Sequence, residues 1–156
     1  MKFFILAVGN KMPEWVNSGF ESYAMRMSRD VAIELIRIKA EKRIKNKKTS
    51  QLLCAEANRI YAALPSKCRT VVLDEHGQQY STEKLANSIS RWMRDGGDTA
   101  FIIGGSDGLD SGIKDSADEV LSLSSLTLPH GLARVMLAEQ LYRATSFIKR
   151  HPYHRK

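Results

Sequence analysis

The chain has 156 residues, enough for one domain that buries roughly two-thirds of its unfolded surface. With 43% apolar and 26% charged residues it has the composition of a folded globular protein, and no apolar run approaches the ~20 residues of a membrane span. The net charge of +7 is local: residues 37–48, RIKAEKRIKNKK, carry +6 and the ending KRHPYHRK, 149–156, carries +4, leaving −3 for the rest.

KFFILAVG, 2–9, is a continuous apolar run closed by Gly9 and reads as a strand buried on both faces. A secretory leader fits it less well, because Asn10 and Lys11 follow directly and no small-residue cleavage site appears. Pro13 suits a first helical turn, and Val16, Phe20, Tyr23 and Met27 recur at helical spacing over 13–28. VAIELIRI, 31–38, is the second strand. Beyond the basic loop a helix spans about 49–64, with Leu52, Leu53, Ala57, Ile60 and Tyr61 on its apolar side and Pro65 ending it. TVVLDEHG, 70–77, is the third strand and turn, after which Ser81 or Thr82 caps the helix carrying Leu85, Ile89 and Trp92. DTAFIIGG, 98–105, is the fourth strand, a short helix lies near 110–118, EVLSLS, 119–124, is the fifth strand, and a long helix covers 131–149. This alternation predicts a single α/β domain over 1–156, a mostly parallel sheet with helices on both faces.

In such a sheet, ligands bind beyond the carboxyl ends of the strands. VLDEHG at 72–77, IIGGSDGL at 102–109 and LSLSSLTLPHG at 121–131 all fall there. The glycines 104, 105 and 108 do not match a dinucleotide fingerprint, and no phosphate-loop lysine follows. They serve either a tight turn or the close approach of a flat ligand. Leu123, Leu126 and Leu128 alternate with Ser124, Ser125 and Thr127 where the chain should turn. That pattern suits a buried connection or the apolar, hydroxyl-bearing wall of a nucleoside pocket. Asp107 with Asp110, and the pair His151 and His154, fall short of metal sites, so no metal is expected. Cys54 and Cys68 are not spaced as a metal or redox pair, which fits a reducing, cytoplasmic compartment. Two basic segments on a mildly acidic body point to a polyanion, and the tail's rings at His151, Tyr153 and His154 suit stacking on unpaired bases. Neither segment has an apolar face for a membrane surface.

The segments FFILAVGNKMPEW, IIGGSDGL, LSLSSLTLPHGLARVMLAEQLYRA and HPYHRK, in this order and at this length, resemble the RlmH family. These are methyltransferases of the SPOUT superfamily that act on N3 of a pseudouridine in 23S ribosomal RNA. The likeness covers essentially the whole chain and is weakest over 39–48. It implies a parallel-sheet SPOUT fold with a C-terminal trefoil knot, which periodicity alone does not reveal. It also implies S-adenosylmethionine as cofactor, the assembled ribosome as substrate and a homodimer. The cofactor positions that it implies are Leu73, Gly104 and the run Leu123, Ser124, Ser125, Leu126, Thr127 and Leu128. Arg143, Tyr153 and His154 become the catalytic candidates: Arg143 or Arg155 to stabilise imide charge, His154 to accept the proton or orient the base. His130 is expected to be structural. By the resemblance the dimer would cover Leu132, Val135, Met136, Leu141 and Phe147; burial in the chain's own core is the alternative, and a helix apolar almost all round favours the interface. Two other readings stand beside the enzyme: a ribosome-binding factor without cofactor affinity, and a nucleotide-dependent enzyme acting on a small molecule.

Overall fold

The computed structural model describes residues 1–154; Arg155, one of the two cations proposed above, lies outside them. Five parallel strands form one sheet: β1 (Lys2–Val8), β2 (Ala32–Ile38), β3 (Arg69–Gln79), β4 (Thr99–Ile103) and β5 (Glu119–Ser122), in the order β2-β1-β4-β3-β5. The helices are α1 (Glu14–Ala24), α2 (Thr49–Ala63), α3 (Thr82–Asp95), α4 (Ser111–Asp115) and α5 (His130–Ile148). The parallel α/β domain expected from the alternating pattern is the one observed.

The central strands β1 and β4 explain why their sequence is apolar without alternation. Phe3, Ile5, Ala7, Phe101 and Ile103 point to one face, where they pack against Phe20 of α1, Ile89 and Trp92 of α3, and Leu137 and Leu141 of α5. Phe4, Leu6, Val8, Ala100 and Ile102 point to the other, against Ala57 and Ile60 of α2 and Ile113 of α4. A strand covered on both sides has no polar face to display. Ser81 is the cap of α3: its hydroxyl accepts the Lys84 backbone N–H at 3.1 Å. Ser81→Ala is expected to destabilise the fold by about 1 kcal/mol in chemical denaturation.

Helix α5 lies between α1 and α3, and none of its residues His130–Ile148 is exposed even in a single chain. The expectation that a dimer covers Leu141 is therefore corrected. Leu141 is fully buried in the chain's own core, together with Ala133, Leu137, Ala138 and Ala144. Val135 packs on α1, where a Cβ at Gly19 would meet it at 3.3 Å. The all-round apolar character comes first from having a sheet and two helices as neighbours. Leu132, Met136 and Phe147 stay half-buried.

Candidate active site: a cofactor-sized cavity and a remote polar cluster

Three chain segments meet at the carboxyl ends of β4, β3 and β5 and enclose a cavity of about 520 Å³, within the range of small-molecule sites. The register of β3 against β5 slips between Leu73 and Gln78, so Asp74 and Glu75 swing out of the ladder and into the cavity wall. From β4 come Ile103, Gly104 and Gly105, followed by Ser106 and Gly108 in a turn closed by the Gly108 N–H donating to the Gly105 carbonyl at 3.1 Å. From β5 onward come Ser122, Leu123, Ser124, Leu126, Thr127, Leu128, Pro129 and His130. Local hydroxyl bonds set this last segment: Ser122 Oγ donates to the Ser124 carbonyl at 2.7 Å, and Ser124 Oγ accepts the Leu126 N–H at 2.9 Å. Thr127 Oγ1 donates to Glu75 Oε2 at 2.9 Å and ties the two walls together.

Of the cofactor positions expected from the sequence, Leu73, Gly104, Leu123, Ser124, Leu126, Thr127 and Leu128 line this cavity; Ser125 is exposed and does not. Leu126 is 73% exposed at the rim, an apolar side chain left open to water beside a concave apolar wall. The residues fit a nucleoside-bearing cofactor. Leucines supply apolar surface, while the backbone N–H groups of Thr127 and Leu128 have no partner among the described residues. His130, expected to be structural, is part of the wall, and burial followed by the nearby Arg134 cation lowers its pKa. The sequence placed the segment 72–77 at this end of the sheet but gave Asp74 and Glu75 no role, because their places in the wall depend on a strand bulge that alternation does not reveal.

The catalytic candidates form a separate cluster at the far end of α5. Arg143 donates from Nε at 2.7 Å, and from Nη2, to Glu139 Oε1 one turn earlier, and Tyr153 Oη donates to the same oxygen at 3.1 Å. The Arg143 guanidinium lies 4.7 Å from the Tyr153 ring centre, and Tyr153 packs on Tyr142 at 4.6 Å. Burial, with Glu139 beside it, pushes the Tyr153 phenol up to about 12. At neutral pH it is therefore a hydrogen-bond donor and not a base. His154 packs edge-on against Phe147 at 4.9 Å, and both its ring nitrogens are buried without a partner among the described residues. Glu139 was missed in the sequence, although the spacing Glu139–Arg143 is the i,i+4 pairing of a helix face.

Cluster and cavity do not meet within one chain. Neither Glu139, Arg143, Tyr153 nor His154 lines the cavity, and Arg143 lies more than three helical turns beyond His130, about 20 Å along the axis. The basic loop, in contrast, reaches the rim. Arg43 bonds Ser106 and Asp107 beside the glycine turn, while Lys47 and Arg59 converge on Glu41 and hold its carboxyl below the usual range.

The family described as "Predicted SPOUT methyltransferase" matches residues 1–154. The chain is 63% identical to the ribosomal RNA large subunit methyltransferase H of Nitrosospira multiformis and 57% identical to that of Nitrosomonas eutropha, each over 99% of both chains. In fold it is similar to the crystal structure of a "probable methyltransferase" from Bordetella pertussis Tohama I, with a TM-score of 0.61 at 13% identity over 91% of this chain and 93% of that one. A leucine-walled cavity at the strand ends, a full-length family match and relatives of this identity lead to one conclusion: the chain belongs to the SPOUT methyltransferase family, among the ribosomal RNA large subunit methyltransferases H.

Proposed function

We propose that this enzyme transfers the methyl group of S-adenosylmethionine to N3 of a pseudouridine in 23S ribosomal RNA, acting in the cytoplasm on the assembled ribosome as a homodimer. The observation that carries the reading is the cavity built by Leu73, Gly104 and the segment Leu123–Leu128, which meets the needs of a nucleoside cofactor in a chain of this family. When bound, the cofactor supplies an electrophilic methyl group on a sulfonium.

The remaining work falls to the side chains. The acceptor nitrogen carries an imide proton, so attack requires that proton to leave and negative charge to spread over the neighbouring carbonyls. Arg143, oriented by Glu139 and stacked on Tyr153, offers a fixed cation for that charge. The Tyr153 hydroxyl gives its one proton to the Glu139 carboxylate and helps to fix that pair. His154 has two uncommitted ring nitrogens and can take up the proton or hold the base once the tail engages RNA.

The separation between cluster and cavity supports the homodimer. One chain cannot present Arg143 to its own cofactor, whereas a second copy packed along the half-buried stripe of Leu132 and Met136 brings its Glu139–Arg143–Tyr153 group toward the first chain's cavity. RNA docking falls to the loop 39–48 and the tail. Lys42, Lys45 and Lys48 make no ion pair among the described residues, in contrast to Arg43 and Lys47. Replacing these three lysines by alanine is expected to weaken ribosome binding and to lower the slope of log affinity against log salt by about 0.7–0.9 per lysine that meets a phosphate. A filter-binding salt series measures it, and an unchanged slope removes the loop from the interface.

The reading as a whole is tested by incubating the enzyme and labelled S-adenosylmethionine with unmethylated ribosomes and, in parallel, with free ribosomal RNA, then identifying the labelled nucleotide by mass spectrometry. Label on one pseudouridine in ribosomes and none on free RNA is expected. Cofactor binding without any transfer would favour another substrate, and ribosome binding without cofactor affinity would favour a docking factor.

A further inference from the structure

Two buried polar groups at the amino ends of the strands lack a partner. Trp92 of α3 and Thr99 at the start of β4 are each 1% exposed, and the Trp92 Nε1–H and the Thr99 hydroxyl meet no acceptor or donor among the described residues. A buried indole N–H or hydroxyl normally has one, because leaving it unpaired forfeits its bond to water. Both residues line a second cavity of about 430 Å³, large enough for a small ligand. It lies at the opposite end of the sheet from the leucine-walled cavity, with Thr99 and Ile103 about 13 Å apart along β4.

The rest of the wall narrows what can fill it. Asp95, Asp98 and Asp118 contribute three carboxylates, against the two cations of Lys67 and Arg69. Backbone groups hold two of the carboxylates in place. Asp98 Oδ1 accepts the Lys2 N–H at 2.7 Å, and Asp118 Oδ2 accepts the Thr70 N–H at 2.7 Å and the Thr70 hydroxyl at 3.0 Å. The other oxygen of each has no bond among the described residues. Lys67 makes no ion pair among them, and the Arg69 guanidinium lies 5.6 Å from the Trp92 ring centre. An anion would face three carboxylates, and a simple cation would leave the Trp92 and Lys67 donors unmet. No group of three side chains that could hold a metal ion occurs among the described residues. What fits is a neutral, flat group with paired donors on one edge and acceptors on another.

We propose that this cavity binds a guanine base. Guanine carries two adjacent N–H donors, at N1 and N2, beside two acceptors, O6 and N7, and the other three standard RNA bases lack that pair of donors. Asp98 and Asp118 accept from N1 and N2, while the Trp92 N–H and the Lys67 ammonium donate to O6 and N7. The Thr99 hydroxyl, which can give or accept, serves either edge. The Arg69 guanidinium, already against Trp92, offers a plane on which the base stacks. Such a base belongs either to an unpaired nucleotide of ribosomal RNA or to a free nucleotide. The site stands apart from the methyltransferase reading, and only the ribosomal source rests on it.

The test is calorimetry of the full-length protein with GMP, AMP, CMP and UMP. GMP should bind roughly 5- to 150-fold more tightly than the others, the range of one bidentate base contact. Thr99→Val removes only the unpartnered hydroxyl, so it should melt no lower than the wild type yet bind GMP roughly 3- to 10-fold more weakly. Trp92→Phe, which also loses some packing, should weaken GMP as well. Gly104→Ala, in the other cavity, should leave GMP binding unchanged. Equal binding of the four nucleotides, or unchanged GMP affinity in Thr99→Val, overturns the site. Loss of GMP binding in Gly104→Ala overturns it too, by placing the nucleotide in the leucine-walled cavity. Ribosome binding by Thr99→Val names the source: weakened by the same factor as GMP, the base is ribosomal; unchanged, it is a free nucleotide, and both results uphold the site. A guanine preference in a protein that transfers no methyl group would overturn the methyltransferase reading and leave the site standing.

Discussion

Gly104→Ala is expected to lose S-adenosylmethionine affinity by roughly 5- to 150-fold while remaining folded. A Cβ at this position would sit 2.5 Å from the Gly108 carbonyl oxygen, 2.7 Å from its carbon and 2.9 Å from Leu109 Cγ. The first two are backbone atoms, so no rotamer change relieves the contact. The turn 104–108 must open, at a cost of about 1–3 kcal/mol for overpacking. That turn is one wall of the cavity, and if that cost falls on the bound state it corresponds to roughly 5- to 150-fold in affinity. Calorimetry gives the affinity, and a thermal melt shows whether the sheet survives. A variant that melts as the wild type does and binds the cofactor undiminished would mean that Gly104 is a turn residue and nothing more.

The second large effect is expected at Arg143. Arg143→Ala should lower the rate of methyl transfer by roughly 10²- to 10³-fold, the usual loss for a donor aimed at developing charge. Cofactor affinity should stay within about 3-fold, because Arg143 does not line the cavity. Arg143→Lys should recover little. A lysine cannot reproduce the two donors to Glu139 Oε1 or the planar stack on Tyr153. Single-turnover kinetics with saturating cofactor separates transfer from binding. Unchanged transfer in Arg143→Ala would reduce the residue to an anchor for the tail.

The fold was readable because its local signals agree. Continuous apolar runs at 2–9 and 98–105 mark strands buried on two faces, and capping and proline signals bound the helices between them. The cavity wall was readable for a different reason. Leu123, Leu126 and Leu128 are apolar where a surface turn would be polar, and the resemblance to a known family assigned them a ligand. What the sequence hid falls into two kinds. Asp74 and Glu75 reach the cavity through a register slip in β3, and alternation carries no record of a bulge. His130 and Arg134 stand four residues apart on a helix whose apolar neighbours suggest only burial. Arg134 is bonded to carbonyls at the end of β1, more than a hundred residues away in the chain. The apolarity of α5 was over-read toward a partner, because a helix held between two helices and a sheet is apolar on nearly every side before any second chain arrives.

The distance between the cavity and the Glu139–Arg143–Tyr153 cluster makes the central claim specific: methyl transfer takes place at a site built from two chains. The direct measurement is subunit complementation. Gly104→Ala and Arg143→Ala chains carrying different affinity tags are co-expressed, the mixed dimer is purified through both tags, and methyl transfer to ribosomes is assayed beside each parent dimer. The mixed dimer holds one site in which an intact cavity faces an intact Arg143, so it should regain about half of the wild-type rate while both parents stay inactive. A mixed dimer as inactive as its parents would contradict the account and place Arg143 at work within its own chain.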